Sequence, residues 1–265
     1  MDLGLKNRVA LVAAASTGLG RATAERLAIE GARLTICARS QQTLETAAAE
    51  IRASSGTEVL PVLCDVTNEA DVRRLVDATV ERFRRLDVLV TNAGGPPSGG
   101  FAEFSAGLEP YRQALELNLL STVALTQAAV PEMRKNGWGR VIAVTSLAAK
   151  QPSTSLLLSS VARAGVLAFT KVLATELARE NITVNSVCPG FTMTERLLEL
   201  AEAESSRGGV TPEEIYDRWR SDIPARRIAD PDEFADVVAF LASERASYVT
   251  GVALAIDGGI IKSLY

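Results

Sequence analysis

The residues with most chemical potential lie in a short loop, Ala14-Ala15-Ser16-Thr17-Gly18-Leu19-Gly20. It joins an apolar run at residues 8–14 to an amphipathic stretch beginning near Arg21. Glycines at such a junction permit a tight turn and let backbone N–H groups approach a phosphate at the positive end of a helix. Asn118 sits inside the otherwise apolar LELNLL; a buried amide costs about 1–3 kcal/mol if unpaired, so it needs a dedicated partner. After the second apolar run come Arg39 and Ser40, with no acid before Glu45. An acid there would accept from a ribose 2′-hydroxyl, whereas an arginine suits a 2′-phosphate, so NADP is expected over NAD.

Composition removes several alternatives. The chain has no histidine, which excludes Ser-His-Asp and Cys-His catalysis and any imidazole metal site; no metal is expected. Cys37, Cys64 and Cys188 are widely spaced in apolar runs, without CxxC, and read as buried thiols of a reducing compartment. With 28 Lys+Arg against 32 Asp+Glu the net charge is −4, giving no basic excess for nucleic acid. No apolar run reaches the ~18 residues of a membrane helix, and the start MDLGLKNRVALV lacks a signal-peptide layout. A cytoplasmic chain without membrane contact is expected.

The elements that must position these residues follow from periodicity. Strands are predicted at 8–14, 33–37, 58–64, 88–91, 140–145, 183–187 and 252–256, the first six without polar alternation, as parallel strands covered on both faces require. Helices are predicted at 19–30, 41–53, 69–83, 110–135, 155–179 and 231–241. At 265 residues, with no linker or repeat, this predicts one α/β domain over 1–265: a doubly wound parallel sheet of about seven strands with helices on both faces. Residues 92–105, rich in Gly and Pro, and the charged segment 191–221 interrupt the rhythm after strand C-termini; the second reads as a lid over substrate. The helices at 110–135 and 155–179 carry apolar residues on more than one face, which predicts burial against a second copy.

Taken together, ALVAAASTGLGRATAERLAIEG, LCDVTN, TNAG, LELNLLS, VIAVTS, CPG with two threonines, and TGVALAIDGG resemble the short-chain dehydrogenase/reductase family in order and spacing along nearly the whole chain. The resemblance implies a Rossmann-type fold. It implies a cofactor site at Ser16, Thr17, Gly18, Leu19, Gly20, Arg39, Ser40, Asp65, Val66, Asn92, Ala93, Gly94, Arg163, Pro189, Gly190, Thr192 and Thr194. It implies catalytic roles for Asn118, Ser146 and the two positions of its signature pair, Ser159 and Arg163, a carbonyl or secondary-alcohol substrate such as a 3-oxoacyl group, and a homotetramer. Leu147, Leu156, Leu157, Leu158 and Phe191 flank the expected site and predict a hydrophobic substrate.

The sequence departs from the family at its YxxxK signature, where Ser159 stands for the tyrosine and Arg163 for the lysine. Tyr111, Tyr216, Tyr248 and Tyr265 all lie elsewhere. A serine hydroxyl is far less acidic than a phenol, and its oxygen ends roughly 4 Å nearer the backbone. Arg163 keeps a cation able to fork onto ribose hydroxyls but cannot relay protons. Ala13 and Ala14 replace the first threonine and glycine of the cofactor loop, a change that the turn accommodates if φ at Ala14 is negative. The expected activity is an NADP-dependent oxidoreductase with water or Tyr216 as proton donor. The alternatives are an NADP-binding sensor or scaffold, a subunit partnering an active homologue, and a dehydratase or epimerase on the same fold.

Overall fold

The computed structural model describes residues 1–264; Tyr265 lies outside the described residues. Seven strands run β1 (Val9–Val12), β2 (Arg33–Ala38), β3 (Val59–Leu63), β4 (Val88–Thr91), β5 (Gly139–Val144), β6 (Ile182–Pro189) and β7 (Ala253–Ile256). All pair in parallel, in the order β3-β2-β1-β4-β5-β6-β7. The order reverses between β1 and β4, so the crevice beyond their C-termini is the ligand position that this topology creates.

The described residues form ten α-helices: α1 (Gly18–Ile29), α2 (Gln41–Ser55), α3 (Glu69–Phe83), α4 (Glu109–Leu115), α5 (Ser121–Asn136), α6 (Leu147–Lys150), α7 (Leu157–Leu177), α8 (Glu195–Gly208), α9 (Pro212–Asp222) and α10 (Pro231–Ala242). The central strands are buried along their whole length, and alternate residues feed two cores. Ala10 and Val12 pack with Leu27, Leu44, Phe234 and Val238 from α1, α2 and α10. Val9 and Leu11 pack with Val72, Leu75, Leu125 and Ala174 from α3, α5 and α7 on the other face. This two-sided burial explains the unbroken apolar runs in the sequence.

Local signals set the helix ends. Asn68 caps α3 by accepting from Ala70 and Asp71 N–H, Asp230 and Glu233 form a capping box on α10, and Gly56 and Gly137 end α2 and α5 in the left-handed region. The continuous helix expected over 110–135 is two helices joined by a π turn at Glu116–Leu120. The long helix over 157–180 is apolar enough to cross a bilayer by length and composition alone, although no uninterrupted apolar run signals it. In the folded chain it packs Leu158, Ala162, Arg163, Val166 and Leu177 inward.

Candidate active site

The first turn of α1 faces the crevice with its amides unclaimed. Thr17 precedes the helix in extended conformation and makes no side-chain cap, whereas Thr194 caps α8 and Thr211 caps α9. Free N–H groups at a helix N-terminus are what a phosphate requires. Gly20 is needed because a Cβ there would sit 2.2 Å from the Ala14 carbonyl oxygen and 2.8 Å from Asn92 Nδ2. The Asn92 amide in turn donates to that same Ala14 oxygen at 3.3 Å, tying β4 to the loop. Ala14 has φ +47°, so the condition for a harmless replacement is not met: the methyl occupies the left-handed region that glycine tolerates, at a cost on the order of 1 kcal/mol. Thr194 lies against the same turn, and a groove of about 560 Å³ runs between Thr17, Gly18, Met193, Thr194 and Asp230.

The residues expected on the adenosine side sit at the ends of β2 and β3. Arg39 is exposed and makes no hydrogen bond or ion pair among the described residues, leaving its guanidinium available. Ser40 is the N-cap of α2. Asp65 accepts from Thr67 N–H and Oγ1 through one carboxylate oxygen, so its role in shaping the turn is real, while the second oxygen has no protein partner among the described residues. Val66 is buried behind it. At the end of β6, Gly190 passes so close to Asp257 that a Cβ would lie 2.7 Å from its Cα. Thr192 is buried, and Thr194 Oγ1 donates to the Thr192 carbonyl at 3.3 Å.

Beneath the crevice, two side chains hold the backbone that follows β4. The π turn carries Asn118, whose Nδ2 donates to the Gly94 carbonyl at 3.0 Å, the dedicated partner its burial demanded. Arg163 Nη1 donates to the carbonyls of Val144 (3.1 Å) and Thr145 (2.7 Å), and Nη2 reaches those of Ala93 (3.5 Å) and Gly94 (3.4 Å). The arginine that the sequence assigned to ribose hydroxyls therefore spends both terminal nitrogens clamping the ends of β4 and β5. The reason is depth: seated on buried α7, its fork ends at strand carbonyls. Burial first, and then the nearby Arg196 charge, push its pKa down to about 10, so it remains cationic at neutral pH. Its Nε and Asn118 Oδ1 are buried without partners.

Ser146, two residues past β5, is extended and caps the short α6, its Oγ accepting from Ala148 N–H at 3.2 Å. Among the described residues the hydroxyl proton has no acceptor, so it remains free to be donated. Ser159 lies one turn before Arg163 on α7, with no protein partner for its hydroxyl among the described residues.

The segment 191–221 folds as α8 and α9 around its own small core of Leu197, Ala201, Ile215, Tyr216 and Trp219, with Phe191 stacked on Trp219 at 4.7 Å. The phenol of Tyr216 belongs to this core. Burial first, and then Glu202 and Glu213, raise its pKa, which makes Tyr216 a poorer acid than a free phenol and weakens it as one of the two expected donors. Two of the expected apolar flank residues are also taken: Leu158 packs with Ala114 and Ala162, and Phe191 with Trp219. Leu147, Leu156 and Leu157 stay half-buried.

Sequence reading missed two arginines of α8. Arg196 Nη2 donates to the Pro96 carbonyl at 2.7 Å, and Arg207 Nη2 to Ser98 Oγ at 2.6 Å. Their eleven-residue separation puts both on one helix face. That spacing was visible, but nothing in the sequence said which loop would face it.

A family profile described as Enoyl-(Acyl carrier protein) reductase matches residues 13–261. A putative ketoacyl reductase of Streptomyces coelicolor is 38% identical over 256 residues, covering 96% of this chain and 97% of the relative. Among solved structures, L-sorbose reductase from Gluconobacter frateurii, complexed with NADPH and L-sorbose, superposes with a TM-score of 0.94 at 34% identity, covering both chains completely. A variant actinorhodin polyketide ketoreductase with NADPH gives 0.92 at 37% identity, over 97% of this chain and 98% of the other.

Proposed function

The chain belongs to the short-chain dehydrogenase/reductase family of oxidoreductases, and on that premise we propose that it is an NADP(H)-dependent carbonyl reductase that works without the family's phenol. The carrying observation is that the frame around the reacting position is built: Asn118 and Arg163 both hold the Gly94 carbonyl, and Arg163 also holds the carbonyl of Thr145, next in the chain to Ser146, whose hydroxyl proton has no acceptor among the described residues. A decayed scaffold would have no need of such a network. NADPH, when bound, supplies the hydride.

The residues present fit that cofactor. The uncapped first turn of α1 would take the pyrophosphate, and Arg39 the 2′-phosphate. Gly94, where a Cβ would meet nothing within 4 Å, keeps the floor of the crevice open. Ser146 Oγ–H donates to the substrate carbonyl oxygen and stabilises the charge that develops on it. Arg163 fixes the backbone and adds a buried positive charge. The proton comes from a water in the room beside Ser159 that a phenol would otherwise fill, and the hydroxide left behind is reprotonated from bulk solvent. NADPH consumption matched one-to-one by alcohol formed from a carbonyl compound tests this; tight NADPH binding without turnover of any carbonyl would sink it.

Arg39→Asp is expected to weaken NADPH binding at least ~10-fold, about 1.4 kcal/mol, while NADH binding changes far less. Equal losses for both cofactors in titration would place the 2′-phosphate elsewhere.

We also propose that the single domain assembles as a homotetramer in the cytoplasm. Leu120 on the π turn and Val161 and Val172 on α7 are 47%, 47% and 61% exposed, an apolar outer face that a lone chain leaves in water. Val161→Glu should reduce the mass seen by light scattering; a parent chain that stays at 28.1 kDa at micromolar concentration refutes the assembly.

A further inference from the structure

The lid carries its own core and is fastened to the rest of the domain by two side chains. Leu197, Ala201, Ile215 and Trp219 of α8 and α9 pack on one another, apart from the two cores that the sheet feeds. Most charges of these helices pair inside the segment: Arg218 with Glu204, and Arg220 with Glu213 and Asp217. Arg196 and Arg207 do otherwise. Among the described residues, theirs are the side-chain hydrogen bonds of α8 and α9 that leave residues 191–229, and they end on Pro96 and Ser98. A unit with a private core and few outside bonds opens at low cost.

The loop that receives the two arginines is itself held at both ends. At Gly94 it is held by Asn118 and Arg163. At Gly99 it pairs with the segment before α7, Gly99 N–H donating to the Ser155 carbonyl at 2.7 Å and Leu157 N–H to the Gly99 carbonyl at 3.2 Å. Between these points the Arg196 guanidinium packs against Gly95. A Cβ there would stand 2.9 Å from Nε, 3.1 Å from Nη2 and 3.2 Å from Cζ, so the glycine is what lets the guanidinium reach the Pro96 carbonyl. Glu199 steadies the other terminal nitrogen at 3.0 Å. At the start of α8, Thr194 lies against Gly18 of α1. The lid thus meets both sides of the crevice, the first turn of α1 and the backbone past β4.

We propose that Arg196 is a positioning residue for the reductase: with Arg207 it forms the latch that fastens α8 and α9, moving as one body about the Thr192–Ala229 bridge, over the crevice. This inference rests on the reductase reading and concerns how that same site opens and closes. Because the receiving loop is already fixed at Gly94 and Gly99, closure encloses the substrate without disturbing Ser146. Losing the latch lowers the closed fraction, which weakens apparent substrate binding and speeds product release while leaving the chemical step alone.

The test combines hydrogen–deuterium exchange of the full-length protein, read by mass spectrometry, with steady-state kinetics on a carbonyl compound. Arg196→Gln should speed exchange across 195–222 at least ~10-fold, with β1, β4 and β5 and the thermal midpoint unchanged. KM should rise by a similar ~10-fold while kcat holds or increases. Gly95→Ala should do the same with the arginine present, because its methyl displaces the guanidinium, and the double variant should go no further than either alone. Arg207→Gln acts in the same direction but less, its contact being exposed. Exchange in the lid that ignores both single variants, effects that add in the double variant, or a fall in kcat at constant KM would overturn the latch. If no carbonyl compound is reduced, the reductase reading fails by itself, and the latch stands or falls on the exchange of 195–222.

Discussion

Ser146→Ala is expected to lower turnover at least ~10²-fold, about 2.7 kcal/mol, with NADPH affinity essentially intact. The hydroxyl has two separable duties. Its oxygen caps the four-residue α6 through Ala148 N–H, and its proton is free for the substrate oxygen. Loss of the cap alone costs about 1 kcal/mol of local stability, which thermal unfolding would register. Ser146→Thr keeps both duties and should restore most of the rate, separating the donor from the cap. Ser159→Ala should be tolerated within a few-fold, since water can still occupy the space beside it. Steady-state kinetics on the three variants decide the matter. Full activity in Ser146→Ala combined with its loss in Ser159→Ala would make Ser159 the proton donor and remove Ser146 from the chemistry.

The second large effect concerns the opposite end of the sheet. Asp87 precedes β4 and is completely buried. One carboxylate oxygen accepts from Val9 N–H at 2.9 Å and from Arg85 Nε at 2.7 Å; the other accepts from Arg85 Nη2 at 2.7 Å and lies 3.5 Å from Arg8. It thus pins the start of β1 to the start of β4, the pair whose far ends open the cofactor crevice. Asp87→Ala would strand a buried backbone N–H and two partly buried guanidiniums, and should cost about 3–5 kcal/mol. Asp87→Asn keeps the acceptor for Val9 but not the charge, and should cost less. Urea unfolding at fixed protein concentration measures both. A loss under ~1 kcal/mol for the alanine variant would mean that water replaces the carboxylate there, as at an exposed pair.

Much of the molecule was legible in the chain because it rests on local or periodic signals. Buried parallel strands read as unbroken apolar runs, Asp230-Pro231 and Asn68 mark helix starts, and Gly18 and Gly20 mark the phosphate turn. Asn118 announced a partner simply by being an amide among leucines, and the serine at 159 stood out only through the resemblance to the family's signature. What the sequence left open depends on direction and depth, which no spacing encodes. Arg163 could serve a ribose or a strand end; the depth of α7 turned it onto four carbonyls. Tyr216 could face the crevice or the lid; packing against Trp219 chose the lid. Ala14 could sit at either sign of φ; the contact between Gly20 and the Ala14 carbonyl goes with the positive one. Arg196 was one charge among many on an amphipathic helix until tertiary packing laid α8 across Gly95 and Pro96, a contact between segments about a hundred residues apart. Local chemistry wrote the elements and the glycine turn before α1; the long-range packing of α7 and α8 decided which backbone carbonyls Arg163 and Arg196 hold.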